Sequence, residues 1–317
     1  MSDLIEDVRA GGLLEPGRRV LVLLSGGRDS VCLLDLAVRI AGADSVAALH
    51  CNYRLRDEAD ADEAFCAALC ERQGVELHVR RPESPGHGNV QAWARDQRYA
   101  EASKLALARG GDVAAGHTAS DQVETVLYRL AASPGRRALL GMASRDGRLV
   151  RPLLGVTREQ TAAHCEARGL EWREDPSNAG DAFARNRLRA QLLPALRSLH
   201  PAAEANVLRT LALLRDEAAV LDAIVDAALA EAGHPPPLHA LRELPRPLRR
   251  LAVQRLADRS AGGQAPAIGH RAADVLALAE GGALDVGGGL RAEVRGGALR
   301  FGASSGPAAP QPHRDAS

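Results

Sequence analysis

From residue 20 onward, short apolar runs alternate with longer amphipathic stretches, which is the pattern of parallel strands joined by crossover helices. VLVLL (20–24) predicts a buried strand and SVCLLDLAVRIAG (30–42) a helix directly behind it. SVAALHC (45–51) reads as a second strand, and DEADADEAFCAALCERQG (57–74) as a helix with acidic first turns and a glycine stop. VELHVR (75–80), a helix over 89–111, DVAAGH (112–117) and a helix over 120–133 continue the alternation. The prediction is an α/β fold, a doubly wound parallel sheet.

Further along the texture changes. RLVRPLL (148–154) predicts one more strand, and TREQTAAHCEARG (157–169) opens with Thr157 and Gln160 at capping-box spacing. From about 186 to 280 the apolar residues recur at helical intervals, so a second, mostly helical domain is expected. The boundaries read from the chain are 1–200 for the first domain, 201–282 for the helical one, 283–302 for a small glycine-rich hairpin and 303–317 for a disordered tail.

Composition narrows the chemistry. With 317 residues and 46% hydrophobic positions the chain can bury a sizeable core. Arginine and lysine (40) balance aspartate and glutamate (40), so a nucleic-acid surface must be a local patch. Lys104 is the only lysine, which excludes a Walker A loop. Two Trp, three Tyr and three Phe are too few for a base-stacking platform, so RNA contacts should be arginine contacts. Five cysteines without a CxxC pair fit a reducing compartment. The acidic amino terminus is unlike a secretory signal, and no apolar run approaches membrane-spanning length, so a cytoplasmic location is expected.

Directly after the first strand stands Ser25-Gly26-Gly27-Arg28-Asp29-Ser30, with a helix behind it. Free backbone N–H groups and a helix dipole can hold an anion there, and two glycines let the backbone come close. An ordinary strand-to-helix turn would also accommodate SGG. Asp29 tips the balance, because a carboxylate beside a phosphate nest makes sense when it holds a divalent cation on a polyphosphate.

SGGRDS resembles the SGGxDS loop of the ATP pyrophosphatases, which split ATP between its alpha and beta phosphates. HCNYRLR (50–56), ARDQRY (94–99), GHTASDQVET (116–125), RPLLGVTR (151–158) and EDPSNAGDAFARNRLRAQLLP (174–194) follow in an order similar to the tRNA(Ile)-lysidine synthetase family, over roughly residues 18 to 200. That resemblance implies ligation of free L-lysine to C2 of the wobble cytidine of tRNA(Ile) with a CAU anticodon, through an adenylated cytidine, with ATP as substrate, Mg2+ as cofactor and no stable protein partner. It implies Asp29 and Arg95 as catalytic residues, Asp29 holding the metal. Ser25, Gly26, Gly27, Arg28, Asp29, Ser30, His50 and His117 would bind ATP. Asp121, Glu124 and Arg185 would form the lysine site. The chain resembles the short form of the family.

The residues can be weighed separately. Arg95 and Arg98 are three apart on one helix face and suit a phosphoryl group in transit, or a solvated face. Asp121 and Glu124, three apart at a helix start, suit an ammonium, or complement the helix dipole. Residues 136 to 209 carry 13 arginines against 8 acids, and Arg98, Arg151, Arg187 and Arg189 are the expected RNA contacts. A second group, Arg246, Arg249, Arg250, Arg255 and Arg259, would touch a tRNA stem through phosphates. Tyr53 stands where many members carry a second histidine, and Thr118 and Ser120 interrupt their HHxxD block. The rivals are a tRNA 2-thiocytidine synthetase, against which Cys66 and Cys70 look like packing, and a non-catalytic nucleotide- or tRNA-binding module, which would have no need of a lysine site.

Overall fold

The computed structural model describes residues 4–55, 57–83, 89–132, 135–174, 187–265 and 268–304. Two compact units divide the described residues: those within 1–128 and 141–208, and those within 129–140 and 209–316.

The first unit contains strands β1 (Val20–Leu23), β2 (Val46–Cys51), β3 (Glu76–Arg80), β4 (Asp112–Ala114), β5 (Arg145–Asp146) and β6 (Leu149–Val150). They form one sheet in the order β3-β2-β1-β4-β6-β5, parallel throughout except for β5 against β6. Of the expected strand over 148–154 only Leu149–Val150 is extended, as β6, which runs parallel to β4 and pairs antiparallel with the short edge strand β5.

Alternation along β1 explains why it reads as a continuous apolar run: successive side chains feed opposite faces, and both are covered. Val20 and Val22 join the core containing Leu33, Leu36 and Leu69, whereas Leu21 and Leu23 join Ala102 and Ala106. The first face is covered by helices α1 (Leu4–Ala10), α2 (Arg28–Ala41) and α3 (Ala59–Gln73), the second by α4 (Val90–Arg109). Gly74 and Gly110 close α3 and α4 in the left-handed conformation at φ 65° and 68°. The chain continues through α5 (Ala119–Ala132), α6 (Arg136–Leu139) and α7 (Arg158–Ala167). The predicted capping box of α7 is present, with Thr157 and Gln160 exchanging side-chain and backbone bonds. Because β2 and β4 flank β1 while the connecting helices lie on opposite faces, the strand order reverses beside β1. That opens a crevice at the carboxyl ends of β1 and β4.

The second unit has its own core, in which Val253, Leu256 and Ala257 of helix Arg246–Ala261 pack with Leu290, Val294 and Leu299. The glycine-rich segment is a correction to the expected hairpin. It forms three antiparallel strands, β7 (Ala283–Gly287), β8 (Leu290–Arg295) and β9 (Ala298–Ala303). Two Gly-Gly pairs make the turns: Gly288-Gly289 at φ 63° and 74°, and Gly296-Gly297 at φ 60° and 72°. Positive φ at both central residues is what a two-residue hairpin turn demands, so the second pair marks a second turn. The division between units falls inside the continuous helix Ala203–Ala232 rather than at residue 200, which is why no proline- or glycine-rich linker marks it. The expected tail beyond residue 304 lies outside the described residues.

Candidate active site in the first unit

A cavity of about 860 Å³ opens at the crevice. Its floor is the loop between β1 and α2. Gly26 sits at φ 86°, and a Cβ there would touch Cys66 Sγ and Phe65 Cδ1, both at 3.4 Å. Gly27 is the N-cap of α2 with no side-chain cap of its own. The turn is tied internally instead. Ser30 Oγ donates to the Gly27 carbonyl at 2.8 Å, Ser25 N donates to Ser30 Oγ at 3.2 Å, and Gly27 N reaches Ser25 Oγ at 3.3 Å. Gly116, at the end of β4, presses against the same helix start: a Cβ would lie 3.1 Å from the Asp29 carbonyl oxygen. His50 is buried and its Nδ1 donates to the Leu24 carbonyl at 2.9 Å, which fixes the strand end entering the loop.

Asp29 is held from the side by α7. Thr161 Oγ1 donates to Asp29 Oδ1 at 2.6 Å, Arg28 Nε lies 3.2 Å from the same oxygen, and Arg158 Nε lies 3.9 Å from Oδ2. Arg158 also reaches the expected acidic pair, with Nη2 2.9 Å from Asp121 Oδ1 and 3.5 Å from Glu124 Oε1. Arg189 completes the cluster, its Nε 2.6 Å from Glu124 Oε1 and its Nη2 3.3 Å from Asp121 Oδ1. The other Asp121 oxygen accepts from Thr118 N at 2.8 Å and Thr118 Oγ1 at 3.0 Å. Burial pushes the Asp121 carboxyl up. Arg158, the Thr118 amide, His117 and Arg189 overcome that push, and its pKa lies below the usual value.

His117 lines the same cavity. Burial drives its imidazole down to about 4, Asp121 opposes this, and the nearby Arg151, Arg98 and Arg95 add to the depression, so the ring is neutral at pH 7. Arg98 and Arg95 both lie over the Tyr99 ring, at 5.4 Å and 5.3 Å from its centroid. His117 Nδ1, Arg98 Nε and Arg151 Nε are buried without a hydrogen-bond partner. Tyr53, which replaces a histidine of the related pattern, donates its hydroxyl to the Ala94 carbonyl at 2.7 Å and meets the Trp93 ring edge-on at 5.7 Å.

The sequence-based residues fall as follows. Ser25, Gly27, Arg28, Asp29, Ser30, His50, Arg98, His117, Asp121 and Arg189 line one cavity. Glu124 is buried behind it and reaches it through Arg158 and Arg189. Arg95 is not one of the residues lining the cavity; its guanidinium lies over the Tyr99 ring and its charge lowers the His117 pKa. Arg151 is 6% exposed and gives its Nη1 proton to the Ala143 carbonyl at 2.7 Å, so it is part of the interior and not of an RNA-facing surface. Arg187 is exposed, and Arg185 lies outside the described residues. Two residues escaped the sequence reading. Arg158 closes the RPLLGVTR block and Thr161 lies one turn into a capped helix, but only the fold shows that both meet Asp29.

The doubly wound sheet and its SGGRDS loop define a PP-loop protein, and a family model described as the PP-loop domain matches residues 3–196. The chain is 40% identical over 222 residues to the tRNA(Ile)-lysidine synthase of Pseudomonas fluorescens, a match covering 68% of this chain and 50% of the relative. It is 38% identical over 262 residues to that of Gloeobacter violaceus, covering 77% of this chain and 78% of the relative. The chain belongs to the tRNA(Ile)-lysidine synthase family, and it spans about half the length of several curated members. The fold is also that of the U34-tRNA thiolase NcsA from Methanococcus maripaludis, solved with its [4Fe-4S] cluster, at a TM-score of 0.55 and 16% identity over 67% of this chain and 78% of that one. In the present chain Cys66 and Cys70 lie in the core, and burial pushes their thiols up to about 12 and about 11. Among the described residues no helix is long and apolar enough to cross a membrane.

Proposed function

We propose that this protein uses ATP to join L-lysine to the wobble cytidine of a tRNA(Ile) with a CAU anticodon. The cytosine C2 oxygen first attacks the alpha phosphate and pyrophosphate leaves; the lysine amine then attacks C2 and AMP leaves. The observation carrying this reading is the joining of two charge clusters by one residue: Arg158 lies 3.9 Å from the Asp29 carboxylate and 2.9 Å from Asp121. A triphosphate on the Ser25–Ser30 loop and an amine at the acidic pair would then share one cavity, within reach of a single base.

The residues divide the work. The amides behind Gly26 and Gly27 cradle the phosphates. Arg95 and Arg98 offer fixed positive charge where negative charge moves in transfer, and the unpartnered His117 and Arg98 nitrogens, on residues lining the cavity, leave hydrogen-bonding capacity for a polar ligand. Mg2+ fits Asp29, since this ion is commonly held by one or two carboxylates together with substrate phosphates. Among the described residues no group of three or more His, Cys, Asp and Glu makes a metal cage, so the phosphates would supply the remaining oxygens. When bound, the ion would offset charge on the triphosphate. Asp121 and Glu124 would orient the lysine amine, with Arg185 as partner for its carboxylate. Exposed Arg187 remains a candidate RNA contact, and Arg189 a contact only if it leaves the acidic pair.

The test is incubation with ATP, Mg2+, labelled lysine and a tRNA(Ile) transcript bearing CAU. Lysine entering the RNA in step with pyrophosphate release supports the reading. Pyrophosphate at background and no label in the RNA overturns it.

A further inference from the structure

The acidic pair is already neutralised by the protein itself. Asp121 Oδ1 faces both Arg158 and Arg189, Asp121 Oδ2 carries two donors from Thr118, and Glu124 Oε1 faces both guanidinium groups. Two carboxylates therefore meet two arginines. Among the described residues lining the cavity, Asp29 is shared with Arg28 and Arg158, Asp62 is paired with Arg173 at 3.0 Å, and Glu174 is exposed to solvent, which screens its charge. Arg95 and Arg98 on α4 and Arg151 before α7 are cationic, and His117 is neutral. Arg189 sits on a π-helical turn, Leu188–Leu192, a local irregularity that often marks a functional position.

An ammonium entering such a site gains no net negative field and loses its hydration, and both effects favour the uncharged amine. The attacking group must be uncharged in any case, because only its lone pair can form the bond to C2. A free ε-amine has a pKa near 10.4, so about one lysine in a thousand carries it neutral near pH 7.4. We infer that Arg158 and Arg189 are positioning residues that neutralise the acidic pair, so that lysine is taken up for attack as the free amine, its proton leaving to buffer. This rests on the reading that Asp121 and Glu124 receive the lysine amine. It is consistent with Asp121, held below the ordinary carboxylate range, being poorly suited to act as the base.

The experiment separates the steps. Adenylated RNA is formed first with ATP and no lysine, labelled lysine is then added, and single-turnover transfer is followed from pH 6 to 10 for the unaltered protein, Arg189→Gln and Arg189→Lys. Arg189→Gln leaves one carboxylate uncompensated, so lysine should bind several-fold tighter near pH 7. Transfer should slow about tenfold there and recover at high pH, its apparent pKa rising by about one unit. Arg189→Lys restores the charge and should restore the unaltered profile. Arg158→Gln should move the profile the same way, and serves if Arg189→Gln does not fold. Weaker lysine binding with a pH profile parallel to that of the unaltered protein overturns the inference while leaving the proposed function standing. No transfer by the unaltered protein overturns both.

Discussion

Thr161 donates its hydroxyl to Asp29 across a 2.6 Å bond, although the two lie 132 positions apart in the chain. Through this bond the first turn of α7 fixes the loop carboxylate, while Arg158 on the same turn reaches the acidic pair.

Thr161→Val keeps the shape and removes the donor. Thr161 is fully buried and its partner is charged, so a loss of about 1–3 kcal/mol in unfolding free energy is expected, with pyrophosphate release falling about tenfold. Thr161→Ser should retain most of both. Denaturant titration and pyrophosphate release measured side by side check this.

Asp29→Asn should abolish pyrophosphate release, whereas Glu124→Gln should leave it within about threefold and lower lysine incorporation at least tenfold. The glutamine is chosen over alanine because removing a buried partner strands two guanidinium groups, a change worth about 3–5 kcal/mol. Equal loss of both steps in Glu124→Gln would contradict the division of roles.

Gly116→Ala places a methyl group 3.1 Å from the Asp29 carbonyl oxygen, at the start of α2. Backbone must yield there, so ATP affinity should fall at least tenfold while the far-UV spectrum is kept. Isothermal titration with ATP measures it.

His117 gives a pH limb. Its folded pKa, about 4, lies below the unfolded value near 6.5, so between these values the unfolded chain binds more protons. Stability is complete above pH 6.5 and falls as the pH drops toward 4, by on the order of 2–3 kcal/mol. His117→Gln should flatten that part of the curve. Unfolding free energies from pH 4 to 8 check the sign.

Much of the scaffold is legible from local signals. The β1 run, the Thr157–Gln160 box and the glycine stop at 74 each encode their element within a few residues, and the structure has all of them. The SGGRDS loop is legible because loop, strand and helix are contiguous. The edge pair β5–β6, the three-stranded β7–β9 sheet and the partners of Asp121 are decided by contacts across the fold. Nothing in the spacing of Arg158 and Arg189 says that both converge on Glu124. Arg151 shows the reverse case, since an arginine in a basic stretch reads as surface until the fold encloses it.

The central claim is that nucleotide and amino-acid sites share one cavity. Its most direct test is a crystal structure of the protein with a non-hydrolysable ATP analogue and free lysine. The account predicts phosphates on the Ser25–Ser30 loop and the lysine amine beside Asp121 and Glu124, both within the 860 Å³ cavity. Lysine bound outside this cavity, away from Asp121, while nucleotide is present would contradict it.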